Sequence, residues 1–149
     1  MAFGIKLLDE DVPATVGIGR ACFGCIQLGG FSERFAAALD YWRRQDYERQ
    51  WARALPRAVR DGQVSALITS MADPSRPGIV HWWPLYPLGS GEIAVQNHLV
   101  LLSELHEAFD PTNPYQHVRI RRVVDEDGNA ISEWHVSRAD VELFLAGIR

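Results

Sequence analysis

Between Gln63 and Asn97 the apolar positions fall into three short runs, QVSALITSM, GIVHWWPLY and EIAVQN. They are parted by Asp73-Pro74-Ser75-Arg76-Pro77-Gly78 and by Pro87-Leu88-Gly89-Ser90-Gly91. β-Branched and aromatic residues between Pro/Gly punctuation predict strands joined by tight turns. Turns this short cannot carry the crossover of a parallel pair, so the stretch reads as an antiparallel meander. In its middle strand Val80, Trp82, Pro84 and Tyr86 share one face, and His81, Trp83 and Leu85 the other. Pro84 cannot donate to a ladder, which predicts an edge strand or a bulge at that point. In the third strand Ile93 and Val95 alternate with Glu92, Ala94 and Gln96, leaving one face of the sheet more polar.

Helical spacing flanks the meander. Asp46 is an N-cap residue, and Tyr47, Trp51 and Leu55 follow at intervals of four, with Ala54 and Ala58 beside them and Arg49, Gln50 and Arg53 on other faces. This predicts an amphipathic helix whose aromatic stripe covers the sheet. Pro56 should end or kink it, and Asp61-Gly62 turns into the meander. At the far end Ser137-Arg138-Ala139-Asp140 is a capping box, with Val141, Phe144, Leu145 and Ile148 as the stripe of a closing helix. Leu99, Leu102, Leu105 and Phe109 predict a further short helix within residues 97–109.

The remaining segments are less regular. Residues 1–13 read as a ragged, partly exposed arm. Thr15 to Leu28 should hold a strand ended by Gly29-Gly30, and Phe31 to Trp42 reads equally as a helix capped by Ser32 or as an extended connection. His117–Val124 and Ala130–Val136 predict two strands around Asp125-Glu126-Asp127-Gly128-Asn129. With a two-residue turn at Asp127-Gly128, counting places Arg122 opposite Glu133, Arg121 opposite Trp134 and Ile120 opposite His135. A slip of one residue would exchange the faces. The expected fold is a single α+β domain over residues 1–149, a central antiparallel sheet with helices packed against it.

Composition narrows the function. The 149 residues are 47% hydrophobic and 23% charged with a formal charge of −4, so the chain can bury a core without staples. An acidic balance argues against direct nucleic-acid binding, which rests on cationic phosphate contacts. The first residues become Asp9-Glu10-Asp11 without an apolar core, and no apolar run approaches the ~18 residues of a membrane span. The expectation is a cytoplasmic protein with no membrane contact.

Candidate chemistry is sparse. Cys22 and Cys25 form a CxxC, but a redox pair would sit at a helix start, and no second ligand pair marks a zinc site. They read as buried or half-buried strand cysteines. Glu104 with His106 and Glu133 with His135 are spaced to share a strand face as acid–base pairs. No nucleophile, third ligand or oxyanion donor accompanies them. Gly17-Ile18-Gly19 is too short for a dinucleotide loop, and no phosphate-binding loop or nucleophile elbow is present. Arg119, Arg121 and Arg122 read as a solvated strand face. No metal or cofactor is expected. The rival to a binding protein is a small hydrolase or thiol-redox protein using Glu133/His135 or Cys22/Cys25.

A family resemblance runs from Leu39 to Phe144. It is carried by Tyr41-Trp42, Asp46-Tyr47, Trp51, Ser65-Ala66-Leu67, Ser70-Met71, Leu85-Tyr86, Val95-Gln96-Asn97, Asp127-Gly128 and Ile131-Ser132-Glu133-Trp134-His135. In these landmarks the chain resembles bacterial contact-dependent growth inhibition immunity proteins, of the type paired with tRNA-cleaving nuclease toxins. The glycine-rich CFGC strand and Trp82-Trp83-Pro84 depart from that pattern. The resemblance implies a protein without turnover that occludes the C-terminal domain of a cognate toxin as a monomer in a one-to-one complex. A basic nuclease surface would meet acidic residues, so the candidate partner-binding residues are Glu92, Asp125, Glu126, Asp127 and Glu133, with His135 on or near the same polar surface. Trp82 or Trp83 would join them if exposed.

Overall fold

In the computed structural model residues 2–13 and 19–147 are described. Strands β1 (Phe3–Asp11), β2 (Ala21–Leu28) and β3 (Phe31–Ala38) make an antiparallel sheet in that order. Helix α1 (Arg44–Val59) leads into β4 (Ser65–Ser70), β5 (Ile79–Pro87), β6 (Glu92–Gln96) and β7 (His98–Leu101). Strand β8 (Glu133–Ser137) and helix α2 (Arg138–Gly147) close the chain. The second sheet runs β4-β5-β6-β8, all antiparallel, while β7 pairs the first half of β5. The expected α+β domain with an antiparallel meander at its centre is therefore present.

Several segments differ from expectation. The amino-terminal residues are not an arm: Phe3 and Ile5 alternate inward and are buried, and β1 pairs β2 from Phe3–Leu28 to Asp11–Cys22. The polar Asp9-Glu10-Asp11 end hid that alternation. The described part of the second predicted strand is β2; its start at 15–18 lies outside the described residues. Residues 31–38 are neither helix nor connection but β3, turned back at Gly29, whose φ of 65° suits glycine. Gly24 is equally constrained, because a Cβ there would collide with the ring of Phe35 on the facing strand.

Helix α1 begins earlier than expected. Asp46 occupies the third helical position, where its carboxylate accepts from the Arg43 amide at 2.8 Å, and Pro56 lies inside the last turn without ending the helix. Its stripe does more than cover the sheet. Gln50 Nε2 donates to Ala66 O (2.7 Å), and Ile68 N–H donates to Gln50 Oε1 (2.8 Å). Trp51 Nε1 donates to Ile68 O (2.7 Å), and Met71 N–H donates to the Tyr47 hydroxyl (2.9 Å). These side chains occupy backbone groups on the β4 edge, one means of closing a sheet edge against unwanted pairing. All three side chains are buried.

Pro84 is neither at an edge nor in a bulge. Leu102 N–H donates to Gly78 O at 2.9 Å, extending a ladder in which Val80 faces Val100 and Trp82 faces His98. Bonded pairs alternate along such a ladder, so Val80, Trp82 and Pro84 turn their backbone toward β6 and β7. Proline has no amide to offer, pairing lapses at Trp83 and Pro84, and it resumes where Leu85 meets Val95. The gap separates β6 from β7. The predicted 97–109 helix is replaced by β7 and a single 3-10 turn at Leu102–Glu104. Leu99 and Leu101 point outward while Val100 is buried, a period of two that the sparser spacing of leucines concealed.

Candidate interaction site

The polar surface of interest lies on the face of the second sheet that carries Trp82, Gln96 and Glu133, under the segment 105–132. The predicted strand over 117–124 is absent: a 3-10 turn at Tyr115–His117 gives way to extended chain, and one bridge, Val124–Ala130, closes the tip. That bridge sets a register one residue from the expected one. Asp125 N–H bonds Asn129 O, Ile131 N–H bonds Val123 O, and Gly128 takes a φ of 81°. The loop thus holds three residues, Glu126-Asp127-Gly128, with glycine in the left-handed position of a bulged turn. The slip brings Arg121, not Arg122, to Glu133.

Glu133 is the centre of the network. Arg121 grips it with Nε to Oε2 at 2.8 Å and Nη2 to Oε1 at 2.6 Å, while Gln96 Nε2 donates to Oε2 at 2.7 Å. His135 Nε2 lies 2.9 Å from Oε1; a carboxylate only accepts, so this nitrogen carries the proton. His135 Nδ1 is 3.5 Å from Glu92, linking three of the candidate residues in one row. Arg121, with Gln96 and His135 behind it, holds the Glu133 carboxyl down at about 2, although burial acts to raise it. The Glu133 side chain is 10% exposed, so it braces the surface from beneath more than it offers a charge to a partner.

Gln96 ties this network to the acidic tip. Its amide also donates to Arg122 O (2.9 Å), and its Oε1 accepts from His98 Nε2 (2.8 Å). Burial first, then Arg119, keeps the His98 ring below its ordinary pKa, which favours the neutral ring. Tyr86 donates to Arg119 O (2.8 Å), and burial, with the nearby Glu133 charge, pushes its phenol up to about 12. Gln96, His98, Arg119 and Arg122 share a groove of about 240 Å³ with Asp125, Glu126 and Asp127. Asp125 spends one oxygen on the tip itself, accepting from the Asp127 and Asn129 amides at 2.9 Å each. Glu126, Asp127, Glu92 and His135 remain turned to solvent.

Sequence reasoning missed Arg121, Gln96 and His98 as members of this site. The only local signal was the Gln96–Glu133 pairing of β6 with β8, which no spacing within either strand announces. The proposed tryptophan anchors are not on the surface. Trp82 packs on Phe109, and Trp83 packs on Trp134, which stacks on Phe31 at 4.5 Å.

The rival chemistry fares poorly. Cys22 faces the core and Cys25, three residues along β2, the opposite face, so the strand itself holds the thiols apart. Burial pushes the Cys22 thiol up, away from thiolate chemistry. A carboxyl held near 2 is a weak general base at neutral pH. Among the described residues, no group of three or more His, Cys, Asp or Glu is arranged to hold a metal ion. No helix among the described residues is long and apolar enough to cross a membrane.

Comparison with known proteins gives the class first. A chain of the CdiA-CT/CdiI toxin and immunity complex from Enterobacter cloacae matches over 97% of this chain and 96% of its own, with a TM-score of 0.86 and 30% identity. That structure shares the two-sheet α+β fold. The Immunity protein CdiI of Enterobacter cloacae subsp. cloacae is 33% identical over 110 residues, 74% of each protein. The profile of the CdiI N-terminal domain matches residues 37–144. The chain belongs to this CdiI family of contact-dependent growth inhibition immunity proteins.

Proposed function

We propose that this chain binds the C-terminal domain of a cognate toxin in the cytoplasm, one chain to one toxin domain, and neutralises it by occlusion without turnover. The observation that carries the reading is the likeness along nearly the whole chain to a member of a toxin and immunity complex. We further propose that the toxin is a nuclease acting on tRNA. The acidic balance, the half-exposed Glu92 and the exposed Glu126 and Asp127 support a nuclease, since such enzymes carry basic surfaces for phosphate. The tRNA substrate rests on the sequence resemblance alone.

The test is expression of the C-terminal domain of the neighbouring reading frame with and without this chain, scoring growth and tRNA integrity. Toxicity relieved by this chain, with tRNA cleavage in unprotected cells, is the expected result. A toxin that cleaves another RNA would retire the tRNA assignment and leave immunity standing.

A further inference from the structure

Strand β8 pairs β6 only as far as Glu133 opposite Gln96; beyond that point, among the described residues, β7 continues without a neighbour on that side. The alternation fixed by the Leu102–Gly78 bond sends the amides and carbonyls of Leu99 and Leu101 outward, away from β5. No hydrogen-bond partner for them is found among the described residues. The outward side chains match this open edge. Ile79 lies opposite Leu101 and His81 opposite Leu99 on one face, and Ile79, Leu99 and Leu101 are 45%, 50% and 39% exposed. The β4 edge of the same sheet is closed by Gln50 and Trp51, whereas no such cover lies on β7 among the described residues.

We propose that the β7 edge receives an extended segment of the toxin domain as an added strand. This deepens the binding reading above and rests on it. Leu99 and Leu101 would exchange backbone hydrogen bonds with the segment, while alternate apolar side chains cover Ile79, Leu99 and Leu101. Charge selects the occupant. The grooves flanking the edge bring in Glu104, Asp125, Glu126 and Asp127 against Arg119 and Arg122, four carboxylates to two guanidiniums. A cationic residue at the end of the segment that meets the Asp125–Asp127 hairpin completes the match. A second copy of this chain would instead bring a further charge of −4.

Amide hydrogen exchange on the full chain, free and in complex with the C-terminal domain of the neighbouring reading frame, tests this. The Leu99 and Leu101 amides should exchange fast in the free chain and become protected in the complex. Leu99→Pro removes an outward amide while sparing the β5 ladder, and should raise Kd by about tenfold or more. Leu101→Lys, which keeps the backbone intact, should weaken binding in the same direction. A complex in which both amides exchange as in the free chain overturns the added strand and leaves the binding reading intact. Protection that appears in the free chain as its concentration rises assigns the edge to a second copy and overturns it too. Failure of any complex to form overturns both.

Discussion

Arg121 and Glu133 meet as a bidentate pair, at 2.8 and 2.6 Å, although only the Val124–Ala130 bridge near the tip pairs the segments that carry them. The pair fastens the irregular 118–132 segment to the end of β8, beneath the candidate interaction surface. A single arginine earlier or later in the sequence would reach solvent instead, and Arg122 does so, contributing its carbonyl to Gln96 while its side chain lines the groove.

This pair sets the acid limb of stability. The folded Glu133 carboxyl, near 2, lies below its ordinary value of 4.5, so its contribution is complete above the unfolded value and is lost as pH falls toward 2. Glu133→Gln should lower stability at neutral pH by about 1–3 kcal/mol and flatten the loss between these pH values. Urea unfolding across that range checks both effects.

His81 and His98 act nearer neutrality. Burial keeps both below the ordinary value of 6.5, so the unfolded chain takes up protons first and stability declines as pH drops through that value. His98→Gln should reduce this slope, and it preserves a donor toward Gln96. Unfolding midpoints at successive pH values between neutral and mildly acidic read the difference.

The closure of β4 by α1 is a separate load on the fold. Gln50→Ala leaves the Ala66 carbonyl and the Ile68 amide without their buried partners and should cost about 2–4 kcal/mol. Gln50→Glu keeps the acceptor for Ile68 but puts a charge into a buried position, and should be at least as damaging. Thermal unfolding of the two variants compares them.

Thiol modification separates the cysteines. Cys25 should react with a small alkylating reagent well before Cys22, which is 1% exposed and awaits unfolding. Mass mapping of the alkylated residues at short times gives the order. Equal rates would contradict the packing of the first sheet.

Long, regular segments were legible in the sequence, and long-range choices were not. The meander, α1 and the Ser137-capped α2 follow from local alternation, helical spacing and a cap that forms as expected, Asp140 N–H to Ser137 Oγ at 3.0 Å. Ile148 of the predicted stripe lies outside the described residues. The family signal from Leu39 to Phe144 agrees with the matched range of 37–144. What failed was decided by partners distant in sequence. β1 and β3 are strands because β2 lies between them, and the helix expected within 97–109 lost its first residues, His98–Leu101, to pairing with β5. At the tip a single residue in loop length exchanged Arg122 for Arg121, which no count within the segment could settle.

The acidic tip has its own consequence for kinetics. Asp127→Lys with Glu126→Lys should slow association with a basic toxin domain and weaken its salt dependence, leaving dissociation little changed. Asp125 is a poorer choice for reversal, because its carboxylate holds the turn. Stopped-flow association at several salt concentrations measures the effect, and unchanged rates would remove the tip from the interface.

The central claim is neutralisation by stoichiometric binding. The decisive measurement is titration of the purified toxin domain's activity with this purified chain. The account predicts a linear fall to zero at one equivalent, with the activity restored when the complex is denatured and the toxin refolded alone. Full toxin activity in the presence of excess chain would contradict it.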